Sequence, residues 1–121
     1  MKLRIKGNSI RLRVMRSELE HLQSGGRLEE SVRFSPDAAL SYTLAVAEID
    51  DPVSVSFIAN EIATRISAAQ LFSWSSEEQV GIYTSMPGGL EVAIEKDFAC
   101  LDRSEEENAD AFEHPVQGAT C

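Results

Sequence analysis

Residues 4–14, RIKGNSIRLRV, decide the fold: Ile5, Ile10, Leu12 and Val14 alternate with Arg4, Lys6, Arg11 and Arg13 around a central Gly7-Asn8-Ser9. Alternation with period two places one set of side chains on each face of a strand. Gly and Asn tolerate the positive φ that a tight turn requires. The stretch is therefore a β-hairpin, with Leu3 extending its apolar face and Lys2 its cationic one.

Beyond the hairpin, Ser17-Glu18-Leu19-Glu20 predicts a capping box that opens a short helix with Leu19 and Leu22 on one face. Gly25-Gly26 ends that helix. RLEESVRF and ALSYTLAV then read as two further strands about a Ser35-Pro36-Asp37 turn, closed by Asp50-Asp51-Pro52. From Val53 the order begins again: VSVSF and EIATRI flank Ala59-Asn60, Ser67 and Gln70 offer a second capping box, and Leu71 and Trp74 form an apolar helical face. QVGIYTSM and LEVAIE bracket Pro87-Gly88-Gly89 as a last hairpin. A constant shift of 52 residues pairs Leu3 with Val55, Ile5 with Phe57, Asn8 with Asn60, Ile10 with Ile62, Val14 with Ile66 and Leu22 with Trp74, without a gap.

Four short strands and a two-turn helix cannot cover an apolar face of this size alone. The expectation is an α+β, mostly β fold: a small antiparallel barrel or sandwich built from two tandem ββαββ units, each covering the other, with two short helices. Residues 1–96 form one domain of two pseudo-repeats, 1–49 and 53–96, and residues 97–121 an acidic C-terminal extension. Closure of the two halves on each other favours a monomer over an obligate dimer.

KGNSIRLRVM resembles the N-terminal hairpin of the MazE antitoxins within the AbrB-like swapped-hairpin superfamily, with Gly7, Asn8, Ser9, Arg13 and Val14 on the motif positions. Met15 stands where that family places proline, and Lys6 where an aromatic residue often precedes the glycine. The resemblance implies a pseudo-dimer within one chain and a DNA-facing hairpin surface. Over the full length, RIKGNSIRLR, VGI and IEKDFACLDR with its acidic tail also resemble a family of small uncharacterised bacterial proteins.

The chain of 121 residues has a formal charge of −9, yet residues 1–34 carry a net +4, leaving −13 for the rest. Sign asymmetry of this kind points to an electrostatic partner or to one part of the molecule neutralising another. Arg4, Lys6, Asn8, Arg11 and Arg13 are the residues expected to contact nucleic acid or another anion. The shifted positions Ser56, Ile58, Ala63 and Arg65 keep one of four cations, which argues against a continuous DNA-binding surface.

No stretch has the roughly 20 apolar residues of a membrane span, and no secretory signal is present, so the protein reads as cytoplasmic. Cys100, His114 and Cys121 are thiol and imidazole groups of the kind zinc prefers, but their spacing matches no compact zinc motif. No cofactor is expected. Glu95 and Asp97 lie one strand step apart on the same side, with Lys96 opposite. The two histidines, His21 and His114, fall on a helix and in the tail, with no nucleophile placed beside them. The reading is a non-catalytic binding or regulatory module whose partner, a protein or another molecule, is unknown. The alternatives are an AbrB/MazE-like DNA-binding regulator and a small-ligand binder or enzyme with an unrecognised site.

Overall fold

A computed structural model describes residues 1–98 and 110–112. In chain order the elements are β1 (Lys2–Lys6), β2 (Ser9–Val14), α1 (Arg16–Gln23), β3 (Leu28–Ser35), β4 (Ala38–Val46), β5 (Val53–Ile58), β6 (Glu61–Ile66), α2 (Ala68–Trp74), β7 (Gly81–Ser85) and β8 (Glu91–Lys96). They build a mostly β structure of two four-stranded sheets, ordered β1-β2-β8-β7 (sheet A) and β3-β4-β6-β5 (sheet B).

Each sheet joins two antiparallel hairpins through a parallel central pair, β2 with β8 and β4 with β6. Both sheets are therefore mixed and they stay open, where the sequence led to the expectation of a small antiparallel barrel or sandwich. The alternation that marks a strand carries no information about the direction of its neighbour, so the parallel pairs left no local signature. The two central ladders share one arrangement. Ser9–Glu91 through Val14–Lys96 pair in sheet A, and Glu61–Ser41 through Ile66–Val46 in sheet B. Glu91 N–H donates to Asn8 O at 3.0 Å and Asp97 N–H to Val14 O at 2.8 Å; Ser41 N–H donates to Asn60 O and Ala47 N–H to Ile66 O, each at 3.0 Å.

The turns follow their residues. Gly7 opens the first hairpin turn at φ +56°, whereas Ala59 and Asn60 both sit at positive φ, 52° and 62°. The second pattern is that of a type I′ turn, which suits the right-handed twist of the strands it joins. The inner faces of both sheets and the apolar stripes of both helices meet in one core. Its fully buried members include Leu12, Val14, Leu22, Leu44, Ile66, Trp74 and Ile94. Trp74 is a core residue and its indole N–H donates to Val80 O at 3.3 Å.

The start of α1 departs from the expected capping box. Met15 holds the cap position, and the Glu18 carboxylate accepts from its N–H at 2.8 Å. Ser17 lies inside the helix, and both its N–H (3.0 Å) and its hydroxyl bond to the Asp110 carboxylate. Asp110 thus caps α1 from the far end of the sequence, where local reading could not see it. Arg16 N–H donates to Asp110 O and its guanidinium to Ala111 O, each at 2.9 Å. In α2 Ser67 is the cap, accepting from Gln70 N–H at 3.2 Å, but its own N–H donates to Pro52 O at 3.0 Å in place of the Gln70 side chain, so half of the expected capping box is formed.

Candidate functional site: the outer face of sheet A

Strand register converts the sequence alternation into rows of side chains. Across sheet A the outer face reads Lys2, Arg13, Glu95 and Gly81 in one row, Arg4, Arg11, Ala93 and Tyr83 in the next, and Lys6, Ser9, Glu91 and Ser85 in the third. Five cations stand on β1 and β2, two carboxylates on β8, and one aromatic ring on β7. The middle row contains a step, because Ala93 is short between the arginines and Tyr83. A groove of about 410 Å³ follows that step, with Arg4, Lys6 and Arg11 on one side, Ala93 in the middle and Tyr83 and Thr84 on the other; Glu91 also lines it, its carboxylate accepting from the Ser85 hydroxyl at 2.8 Å.

Lys2 lies directly across from Arg13, and Arg4 from Arg11. Like charges in directly opposed positions are unfavourable. Glu95 relieves part of this: one carboxylate oxygen lies 3.1 Å from Arg11 Nε and 3.5 Å from Arg13 Nε. Its other oxygen accepts a hydrogen bond from the Tyr83 hydroxyl at 2.6 Å. Lys2 Nζ lies 3.3 Å from the Asp97 carboxylate. Among the described residues, neither Arg4 nor Lys6 has an ion pair.

The corresponding face of sheet B is nearly uncharged at the same places. Ser54, Ser56 and Ile58 face outward on β5 with Glu61, Ala63 and Arg65 on β6, and the Arg65 guanidinium lies 3.5 Å from Ser56 Oγ.

Tyr83 is 61% exposed, but its ring lies over Gly81, where a Cβ would stand 2.9 Å from the phenol oxygen. Partial burial, and then the hydrogen bond to Glu95, push its phenol pKa up to about 12. The native state therefore favours the neutral phenol. This contribution to stability is complete below pH 10, the ordinary tyrosine value, and is lost as pH rises through about 12. Titrating phenolate absorbance, with Tyr83→Phe as the reference for Tyr42, is expected to place Tyr83 near 12 and to move it down toward 10 in Glu95→Gln. An unchanged Tyr83 titration in Glu95→Gln would show that the carboxylate does not hold the phenol.

The sequence-predicted residues divide. Arg4, Lys6 and Arg11 come together in the groove, while Arg13 stands one row away on Glu95. Asn8 lies outside the groove, in the turn, where its carbonyl closes the β2–β8 ladder. Tyr83, Ala93 and Glu95 belong to the site but carried no sequence signal for it. Glu95 and Asp97 are not a shared carboxylate site: each faces a different cation of the hairpin, Glu95 the two arginines and Asp97 Lys2. Lys96, 5% exposed, donates to Ser76 O at 2.6 Å and lies 5.3 Å from the Phe112 ring centroid. Burial holds its pKa below the ordinary lysine value, with Glu77 working in the opposite sense.

Asp110–Phe112 dock at the start of α1 and beside Asp97 and Phe98: Phe112 N–H donates to Asp97 O at 2.8 Å, and the Phe98 and Phe112 rings meet edge to face. Cys100, His114 and Cys121 lie outside the described residues. Among the described residues, no group of three His, Cys, Asp or Glu side chains could hold a metal ion. No helix among them is long and apolar enough to cross a membrane.

A model described as a family of unknown function (DUF7009) matches residues 1–116. No curated protein and no solved structure matches the chain. The comparisons add nothing to the MazE resemblance, which rests on the sequence motifs.

Proposed function

Since the chain belongs to the family of unknown function DUF7009, we propose from its own geometry that it is a non-catalytic binding module that takes a small anionic ligand on the outer face of sheet A. The observation that carries this reading is the pairing of Arg4 with Arg11, beside Lys6, in a groove floored by Ala93 and walled by Tyr83. Opposed like charges cost stability in the free protein and are compensated when an anion sits between them. A volume near 410 Å³ falls in the range of small-molecule sites.

A phosphate-bearing ligand fits best, because the guanidinium fork matches phosphate geometry and the exposed Tyr83 ring offers an apolar wall to the remainder of the molecule. The same arrangement argues against a long duplex. Glu95 already lies beside Arg11 and Arg13, and on β5 and β6 the outer face of sheet B keeps one cation, Arg65, and carries the carboxylate Glu61, so it offers no second half-site. Regulation by binding, and not chemistry, suits a face on which Lys2, Arg11 and Arg13 are paired with carboxylates and Arg4 and Lys6 are left for a ligand.

This reading treats the two ββαββ stretches as copies of one unit, of which the first kept or acquired the cationic face. Their equivalent ladders and the shift of 52 residues support it. Calorimetric titration with inorganic pyrophosphate tests the site. Saturable binding at one site per chain, weakening as salt is added, is expected. Absence of binding at low salt, or steeply salt-dependent binding of random duplex DNA without pyrophosphate binding, would contradict it in favour of no anion site or of the DNA-binding reading, respectively.

A further inference from the structure

The edges of the two sheets are not equally defended against pairing. An exposed strand edge is a template for another chain unless charge, proline, bulges or shortness blunt it. In sheet A, β1 carries Lys2, Arg4 and Lys6, and β7 has only five residues. In sheet B, β5 is buried or half-buried as far as Ser56. The edge strand β3 carries charge of both signs, Glu29, Glu30 and Arg33, where β1 carries cations alone; it has eight residues and no proline, and Ser31 through Ser35 are all exposed, so among the described residues nothing covers that stretch. Val32 is 42% exposed and Phe34 70%. A register shift between Arg33 and Ser35 interrupts the pairing with β4 and sets the limit of regular strand.

From this we infer that β3 is a self-association edge, pairing antiparallel with β3 of a second copy of this chain to join the two sheets B. The sequence of β3 selects the register. With Ser31 on the two-fold axis, Glu29 of each copy lies opposite Arg33 of the other, forming two symmetric ion pairs, and Phe34 comes alongside Leu28 of the second copy. Val32 falls opposite Glu30, whose carboxylate is already held 3.0 Å from the Met1 amino group. Arg33 has no ion pair among the described residues, and its guanidinium donates only to Pro36 O, at 3.0 Å. Glu29 keeps a pair with Arg27, which lies outside the antiparallel overlap. The overlap Leu28–Phe34, seven residues of edge pairing from each copy with one aromatic contact, covers less than a standard interface, so the dimer is a weak one, with dissociation in the micromolar range or above.

Sedimentation velocity of the full chain, from low micromolar to near-millimolar concentration, tests this. A reversible monomer–dimer equilibrium is expected, with Arg33→Glu weakening it by about tenfold or more through two opposed carboxylate pairs. The swap Glu29→Arg with Arg33→Glu is expected to restore it. Because these positions are exposed, circular dichroism should show each variant folded like the parent. A parent that stays monomeric throughout, a double variant that stays monomeric, or a dimer lost in Phe57→Glu on β5 but not in Arg33→Glu would each overturn the proposal.

Discussion

Replacing Trp74 by alanine is expected to remove about 3–5 kcal/mol of stability, the cost of deleting a large, fully enclosed aromatic side chain. Trp74 has no solvent exposure and is the largest of the fully buried side chains. It is the last residue of α2, and its indole N–H bonds to Val80 O just before β7, so it fastens the helix to the strand that follows. Its loss would open a cavity and remove one of the two donors to that carbonyl, which keeps Lys96 N–H at 3.1 Å. Against a typical domain stability of roughly 5–15 kcal/mol, this change alone takes about a fifth or more of the total. Urea unfolding measures it as a lowered midpoint with an unchanged slope. Trp74→Phe keeps most of the volume and is expected to cost visibly less. Equal effects of the two substitutions, or a loss below about 1 kcal/mol for alanine, would mean that Trp74 does not organise the core in this way.

The largest functional effect is expected from charge reversal in the groove. Arg4→Glu together with Arg11→Glu replaces the two opposed cations by carboxylates and should weaken pyrophosphate binding by on the order of 100-fold, the equivalent of about 2.7 kcal/mol. Both residues are on outward positions of the hairpin, so the fold should survive. The reciprocal change is Glu95→Gln. This removes the negative charge that lies beside Arg11 and Arg13 while keeping an acceptor for the Tyr83 hydroxyl. Partly exposed ion pairs are worth at most about 1 kcal/mol, so the gain in affinity should be about two- to fivefold. A general response to net charge would give the same opposite signs, so the discriminating variant is Arg65→Glu on sheet B, which should leave binding nearly unchanged if the groove is the site.

Much of the fold is legible in the sequence because it is written locally. The alternation of Ile10, Leu12 and Val14 with Arg11 and Arg13 sets which face of β2 is buried, and Gly7 and Asn60 mark turns that need positive φ. Ser67 announces α2 because a hydroxyl in that position satisfies a helix amide. What escaped was long-range. The charge asymmetry pointed to an internal countercharge but not to its identity: Glu95 becomes a neighbour of Arg11 and Arg13 only once β8 lies parallel to β2. The cap of α1 was misread for the same reason. Ser17 looks like a cap, but Asp110 supplies the acceptor from the tail, and Glu18 folds back onto Met15. Arg4, Lys6 and Arg11 were visible as a cationic face, whereas the groove among them depends on Ala93 and Tyr83, two unremarkable residues positioned by strand register.

The most direct test of the binding face is a two-dimensional amide NMR titration of the full chain with inorganic pyrophosphate. The expected result is a set of saturable shifts confined to Arg4, Lys6, Arg11, Tyr83 and Ala93, with Ser56 and Ala63 on the other sheet unmoved. Shifts that fail to saturate, or that centre on any other surface, would contradict it.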